Sequence, residues 1–266
     1  MTDRRSLIQD VFGIRVETIA IVDVGYDSEV AVVNGEWIFR FPRRPQVERW
    51  LETEIALLPE LAPALPVAIP RFEHVARQPV TFVGYRLIHG EPLAADTSPE
   101  GVHEFLTALH GFDVARAKAL GVPDPDWPER YGEQCAEFER VVFPLLEAPE
   151  RRRAKRMFTA GIELLSRHGT ALIHADLGPE HMLCRDCELV GVIDWGDVRI
   201  GDPALDYAWL LNGMPPAFAA ALDAEHLRDR ALFYHRLSPW YEAHYGVFIE
   251  QPQHVEAGLR GIRERL

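Results

Sequence analysis

The sequence predicts an α+β protein, with a small antiparallel sheet in its N-terminal third and mainly helices after it. Stretches 18–24, 29–33 and 36–41 are short, rich in β-branched and aromatic residues, and separated by turn residues. Asn34-Gly35 between the last two predicts a hairpin turn. Stretches 44–62 and 150–168 are longer, and their apolar residues recur at three- and four-residue spacings. That spacing is typical of amphipathic helices, and the early sheet followed by helices gives the α+β class.

Further elements follow from the same patterns along the chain. Short apolar runs at 171–173, 182–184 and 189–193 predict three more strands, because each is bounded by polar or turn-forming residues. The remaining predicted strands are 71–76 and 80–88, and the remaining predicted helices are 98–110, 128–147, 225–246 and 252–265. Pro144 should shorten or kink the helix predicted over 128–147.

Composition narrows the classes of function. The 266 residues carry a formal net charge of −13, which argues against a nucleic-acid partner and is compatible with a cationic one. We find no apolar run approaching the ~20 residues that a membrane-spanning helix needs. Residues 1–15 lack the apolar core of a signal peptide, and the three cysteines do not suggest a disulfide framework. We therefore expect a cytoplasmic protein without a membrane partner.

Polar residues cluster just after or between the predicted strands in the stretch 172–208. Asp176 and His181 lie between the strands at 171–173 and 182–184, and Asp194 follows the strand at 189–193. Short loops at strand ends can aim such side chains into a cleft. Two carboxylates and an imidazole form a candidate divalent-metal site in which one carboxylate need not bind the metal. Carboxylate oxygens are hard ligands, which suit Mg²⁺.

Other interpretations of these residues remain open. Loop aspartates are often turn formers or caps, and Asp202 before Pro203 has the pattern of a helix N-cap. A second metal hypothesis is a zinc site made of His174, His181, Cys184 and Cys187, although a single Cys-x-x-Cys is weak support for it.

Three motifs in this stretch carry a resemblance to a known family. They are His174-Ala-Asp176 with His181 five residues later, Ile193-Asp194-Trp195-Gly196, and Gly201-Asp202-Pro203-x-x-Asp206. Together they resemble the catalytic core of the aminoglycoside phosphotransferase family, most closely its 2''-phosphotransferase branch and more distantly the macrolide 2'-phosphotransferases. Both branches tend to carry His where most of the family carries Asn, as His181 does here.

The resemblance implies a two-lobed, protein-kinase-like fold. Residues 1–88 would form a nucleotide-binding lobe, and residues 89–266 a catalytic and substrate-binding lobe. The implied reaction moves the γ-phosphate of GTP or ATP to a hydroxyl of a small molecule, with Mg²⁺ as cofactor. The His181 pattern favours GTP as donor.

The resemblance also implies roles for the residues of the catalytic core. Asp176 would orient the acceptor hydroxyl or take its proton, and His181 and Asp194 would hold the metal ions. His174, Asp202 and Asp206 would support the catalytic loop.

A second set of residues would bind the nucleotide. Gly25, Tyr26, Asp27 and Ser28 form the loop that would cover the phosphates, although Gly25 could simply shape a turn. Arg40 would grip the phosphates and Glu54 would steady Arg40; the alternatives are an exposed strand arginine and a solvated helix glutamate. The backbone N–H and C=O groups of Arg86 and Ile88 would form hydrogen bonds with the purine.

The acceptor is the least determined part of the hypothesis. The 2''-acting relatives bring acidic residues after the Gly-Asp-Pro-x-x-Asp helix, but residues 208–216 of this chain contain no carboxylate. An aminoglycoside is the expected acceptor. A macrolide or another hydroxylated metabolite remains an alternative acceptor. The protein could also bind a nucleotide without transferring its phosphate.

Overall fold

A computed structural model describes residues 3–22, 27–166, 169–222 and 224–266. Its packing divides the chain into two compact units. The first unit comprises Met1–Val122 and Pro179–Val198, and the second comprises Pro123–Gly178 and Arg199–Leu266. The α+β class is confirmed, since a five-stranded antiparallel sheet accompanies many helices. The functional division into residues 1–88 and 89–266 stays a prediction.

The first unit contains the predicted N-terminal sheet. Its strands are β1 Ile19–Val22, β2 Ser28–Val33, β3 Trp37–Pro42, β4 His74–Ala76 and β5 Phe82–Arg86. They lie in the order β1-β2-β3-β5-β4, and every neighbouring pair is antiparallel. Asn34 and Gly35 have positive φ values of 55° and 68° between β2 and β3, as a type I′ turn requires. The hairpin predicted from this dipeptide is therefore confirmed.

Two helices pack with this sheet, α1 Arg4–Phe12 and α2 Pro45–Leu61. One face of the sheet carries Phe39, Phe41 and Phe82, which form a buried cluster with Leu7 and Ile8 of α1. Successive strand residues point to opposite faces. Because Phe39 and Phe41 occupy the α1 face, Arg40 between them points to the other one.

The rest of the first unit supplies a second, three-stranded sheet. Its elements, numbered along the whole chain, are β6 Glu91–Pro92, α3 Pro99–His110, α4 Val114–Ala119, β8 Met182–Arg185 and β9 Glu188–Val192. The strand order is β6-β8-β9. Asp186 and Cys187, with φ values of 52° and 62°, form the turn between β8 and β9. Strand β9 ends two residues before Asp194, so this hairpin fixes the position of Asp194.

The second unit is mainly helical. Its elements are α5 Trp127–Val141, α6 Ala148–Leu165, β7 Ala171–Ile173, β10 Arg199–Gly201, α7 Ala204–Gly213, α8 Pro216–Ala221, α9 Arg228–Phe248 and α10 Pro252–Arg265. The short strands β7 and β10 pair antiparallel. Phe138, Phe158 and Trp240 are fully or almost fully buried in the core between the helices. Helix α5 ends at Val141, three residues before Pro144, which confirms the predicted shortening.

None of the described helices is both long enough and apolar enough to cross a membrane. Helix α9, with 21 residues, meets the length but contains several charged side chains.

Two helical glycines give a matched test of the packing between α6 and α9. A Cβ atom at Gly161 in α6 would overlap the ring of Phe233 in α9, whereas a Cβ at Gly132 in α5 would meet no atom within 4 Å. We expect Gly161→Ala to lower the free energy of unfolding by about 1–3 kcal/mol through overpacking. Gly132→Ala should raise it by up to about 1 kcal/mol, since alanine favours helix. Denaturant titration measures both, and equal effects of the two changes would contradict the described packing.

Candidate functional site

The first unit contains a buried ion pair between strand β3 and helix α2. Nη1 of Arg40 lies 2.7 Å from Oε2 of Glu54, and Nη2 lies 3.2 Å from Oε1. The side chain of Glu54 is only 1% exposed and that of Arg40 is 9% exposed. The planar guanidinium and the carboxylate thus meet through two parallel hydrogen bonds, the strongest geometry for such a pair. The pairing predicted for these two residues is confirmed.

Burial and charge act together on the two side chains. Burial lowers the pKa of Arg40, but the neighbouring carboxylates of Glu54 and Asp194 outweigh it, so the pKa is raised overall. Burial raises the pKa of Glu54, and the contact with Arg40 opposes part of that rise. Arg40 therefore keeps its positive charge at any physiological pH, although it lies in the interior of the unit.

Asp194 lies at the end of β9, beside this ion pair. Its Oδ1 is 3.7 Å from Nη2 of Arg40, and its Oδ2 is 3.7 Å from Nε2 of His181. Asp194 has a positive φ of 62°, and its side chain is 52% exposed. The next residue, Trp195, is fully buried, and its indole N–H donates to the carbonyl of Val192. The tryptophan thus anchors the turn, while the carboxylate before it stays open to solvent.

The donors His181 and Asp194 fit a magnesium ion that binds together with a nucleotide. Among the described residues, no group of three or more His, Cys, Asp or Glu side chains is placed to hold a metal. Mg²⁺ is ordinarily held by one or two protein ligands, with phosphates and water filling the other positions. Two side chains 3.7 Å apart meet that requirement. The zinc hypothesis has no support, because a structural zinc site needs four protein ligands in contact.

In the second unit, the loop after β7 is fastened to helix α7. The carboxylate of Asp206 accepts hydrogen bonds from the backbone N–H of His174, at 3.1 Å, and of Ala175, at 2.8 Å. The indole N–H of Trp209 donates to the carbonyl of Ala175 at 2.8 Å. Ala175 has a positive φ of 67°, an unfavourable conformation for alanine. These contacts hold that conformation and so fix the position of the next residue, Asp176.

Asp202 is fully buried and stabilises the start of α7. Its Oδ1 accepts from the backbone N–H of Ala204, and its Oδ2 accepts from Nε of Arg230 at 2.8 Å and from the hydroxyl of Tyr234. Asp202 therefore ties α7 to α9. That Asp202 and Asp206 support a catalytic loop stays a prediction.

The structure describes part of the loop that is predicted to cover the nucleotide phosphates. Gly25 and Tyr26 lie outside the described residues. Asp27 contacts Arg44 immediately before α2, and Ser28 is buried at the start of β2.

Arg86 extends away from the buried ion pair. Its guanidinium stacks on Trp37 at 3.9 Å and contacts Glu36 at 3.0 Å. The backbone N–H of Leu87 donates to the carbonyl of Glu36. The purine contacts assigned to the backbone of Arg86 and Ile88 stay a prediction.

The motifs did not identify Trp209 or Arg230. Trp209 follows Asp206 by three residues, so helical periodicity would have placed both side chains on the same face of α7. Arg230 is 28 residues from Asp202, and nothing in the sequence links the two.

Comparisons with known proteins agree with this arrangement. A model of the phosphotransferase enzyme family (APH) matches residues 18–240. Viomycin phosphotransferase of Streptomyces vinaceus is 35% identical over 137 residues, which are 46% of this chain and 46% of the relative. The match therefore spans about half the length of that curated relative.

Two solved structures share the fold over nearly the whole chain. The GDP and kanamycin complex of APH(2")-IIia has a TM-score of 0.90 and 27% identity, covering 98% of this chain and 97% of the other. The macrolide 2'-phosphotransferase MphH from Brachybacterium faecium has the same fold, with a TM-score of 0.74, 22% identity and 97% coverage of both chains. The kinase-like fold and the family resemblance inferred from the motifs are confirmed. Since the family model covers most of its length, the chain belongs to the phosphotransferase enzyme family (APH).

Proposed function

We propose that this protein transfers the γ-phosphate of GTP or ATP to a hydroxyl group of an antibiotic, most closely in the manner of an aminoglycoside 2''-phosphotransferase. The observation that carries the proposal is the buried pair of Arg40 and Glu54 beside the half-exposed carboxylate of Asp194. Phosphoryl transfer depends mainly on positioning and on neutralisation of phosphate charge. A fixed interior cation next to an open metal-binding carboxylate supplies both requirements.

In the first unit, the proposed task is to hold the triphosphate. Arg40 presents a permanent charge to the phosphates, and the two hydrogen bonds that it donates to Glu54 fix the plane of its guanidinium. His181 and Asp194 would hold Mg²⁺, which neutralises charge on the β- and γ-phosphates when it is bound. The loop of Gly25, Tyr26, Asp27 and Ser28 would cover the phosphates with backbone N–H groups.

In the second unit, the proposed task is to direct the acceptor. Asp176 orients the hydroxyl, whose oxygen attacks the γ-phosphorus while the bond to the bridging oxygen breaks and the nucleoside diphosphate leaves. The carboxylate of Asp176 takes the hydroxyl proton. Asp206 and Trp209 make this possible because they fix the loop in front of Asp176.

The identity of the acceptor is proposed as a class. Relatives of this chain act on viomycin or were solved in complex with kanamycin. The net charge of −13 supports a cationic acceptor. The absence of a carboxylate in residues 208–216 weakens the case for an aminoglycoside and leaves viomycin or a macrolide as alternative acceptors. We place the reaction in the cytoplasm, where nucleoside triphosphates are available.

An acceptor panel tests the proposal. Release of GDP or ADP is measured with GTP or ATP and Mg²⁺, in the presence of kanamycin, viomycin, a macrolide or no acceptor. We expect one antibiotic to stimulate turnover at least about tenfold above the acceptor-free rate, and the faster donor identifies the preferred purine. Saturable nucleotide binding without stimulation by any antibiotic would overturn the proposed acceptor class. Failure to bind either nucleotide would overturn the proposed activity altogether.

A further inference from the structure

Trp209 of α7 lies next to the residue that the proposed function assigns to the acceptor. Its indole N–H donates to the carbonyl of Ala175 at 2.8 Å. That carbonyl and the backbone nitrogen of Asp176 belong to one peptide group, so the indole nitrogen lies within about 5 Å of the nitrogen of Asp176. The ring is therefore beside the position at which Asp176 would meet an acceptor hydroxyl.

The hydrogen bond of Trp209 uses one edge of its ring and leaves the π surface for other contacts. The side chain is only partly buried. Among the described residues, no cationic side chain lies over this indole and no aromatic side chain stacks on it. Part of the π surface is thus open to a molecule that binds beside Asp176.

The charges of the chain indicate which chemistry this surface favours. The net charge of −13 attracts cations, yet residues 208–216, which include Trp209, contain no carboxylate. A cationic acceptor at this helix would therefore meet an indole rather than an acidic side chain. The face of an aromatic ring is negative and attracts an ammonium group, and tryptophan does so more strongly than tyrosine or phenylalanine.

A protein cation contacts α7 one turn further on, but its hydrogen bonds are directed to α9. Arg265 donates to the side chain of Asn212, to the hydroxyl of Ser238 and to the backbone carbonyl of His235. His235 and Ser238 belong to α9, so these bonds hold the guanidinium against that helix. The face of Trp209 is left for a cation that the ligand supplies.

We propose that Trp209 is an acceptor-binding residue, whose indole face holds an ammonium group of a cationic antibiotic while Asp176 meets the hydroxyl. This inference rests on the proposed function, because that function places the acceptor beside Asp176. It adds that the acceptor carries an amino group close to the hydroxyl that is phosphorylated. The N–H of Trp209 has a separate task, since it holds the loop through Ala175.

The test compares two replacements that both remove this N–H. Trp209→Phe keeps an aromatic face, whereas Trp209→Leu keeps an apolar side chain without one. Titration calorimetry with the full-length protein measures the binding of kanamycin and of viomycin, which are both cationic at neutral pH. We expect at least one of them to bind the wild type. Trp209→Leu should bind it at least about fivefold more weakly than Trp209→Phe, the effect of one cation–π contact.

Phe248→Leu is the control for loss of an aromatic ring. Phe248 lies at the end of α9 in the same unit, and it is 76% exposed. Its replacement should leave the affinity for the antibiotic within about twofold.

Steady-state kinetics separates the ring of Trp209 from its hydrogen bond. The kcat should fall alike in Trp209→Phe and Trp209→Leu, because both lose the bond to Ala175. The KM for the antibiotic should rise further in Trp209→Leu, because only this variant lacks an aromatic face. A residue that merely held the loop would give the two variants the same KM.

The possible outcomes distinguish this inference from the proposed function. Equal affinities of the folded Trp209→Phe and Trp209→Leu variants, or no binding of either antibiotic to the wild type, would overturn the inference. If thermal melting shows Trp209→Leu to be unfolded, Trp209→Met takes its place in the comparison. The expected difference in binding, without phosphoryl transfer by the wild type, would overturn the proposed function and still support the binding role of Trp209.

Discussion

Replacing Asp176 with Asn is expected to lower kcat by about 10²–10⁴-fold, the usual contribution of a positioned general base. The KM for the nucleotide should stay within about twofold, because Arg40 is assigned to the phosphates and His181 and Asp194 are assigned to Mg²⁺. Folding should change little, since backbone contacts of His174 and Ala175 hold the loop. Steady-state kinetics with the best acceptor from the panel measures the effect.

Asp186→Asn is the matched control for this change. Asp186 lies in the turn between β8 and β9 with a φ of 52°, a conformation that asparagine adopts as readily as aspartate. The same chemical change in this turn should leave kcat within about twofold. If Asp176→Asn retained more than about a tenth of the wild-type kcat, the role assigned to Asp176 would be wrong.

The second large effect is expected from Glu54→Gln. Among the described residues, this change leaves the half-exposed Asp194, at 3.7 Å, as the remaining counter-charge of the buried Arg40 guanidinium. Breaking a buried ion pair by removing one partner typically costs about 3–5 kcal/mol of the free energy of unfolding. The KM for the nucleotide should also rise, because the plane of Arg40 is no longer fixed. Denaturant titration and nucleotide kinetics measure the two effects.

Glu52→Gln, also in α2, provides the control. Glu52 makes two hydrogen bonds to Arg77, at 2.8 Å and 2.7 Å, so its geometry matches that of Glu54. This pair is exposed, however, and an exposed pair contributes about 0–1 kcal/mol. Similar losses in the two variants would show that burial of the pair with Arg40 is not the source of its importance.

A double variant separates stability from function. Arg40→Met with Glu54→Leu replaces both charges with apolar side chains of similar size, a change that is often neutral for stability. We expect the double variant to recover most of the stability lost in Glu54→Gln and to bind nucleotide even more weakly. Wild-type nucleotide affinity in the double variant would refute the role of Arg40.

The sequence predicted the elements with strong local signals. Asn34-Gly35 fixes its hairpin because both residues accept positive φ, and helix α10 has the bounds that periodicity predicted. The short strands β6 and β10 were not predicted, since pairing with distant segments rather than local pattern creates them. Helix α1 was missed too: Leu7, Ile8, Val11 and Phe12 do recur at helical spacings, but the helix is only nine residues long.

The candidate site shows the same limit. Arg40 and Glu54 were paired correctly because the local patterns placed them on a strand and a helix, and the family resemblance implied that these two positions interact. The direction of the Arg86 side chain, which packs on Trp37, depends on which face of β5 each residue occupies. The contact of Asp202 with Arg230 joins two helices whose packing no local pattern encodes.

The most direct test of the account is mass spectrometry of the acceptor. Wild-type protein and Asp176→Asn are each incubated with Mg²⁺, GTP or ATP, and the antibiotic that stimulates turnover. The account predicts that the antibiotic gains the mass of one phosphoryl group with the wild type and remains unmodified with Asp176→Asn over the same time. An antibiotic left unmodified by the wild type, or phosphorylated equally by both proteins, would contradict the account.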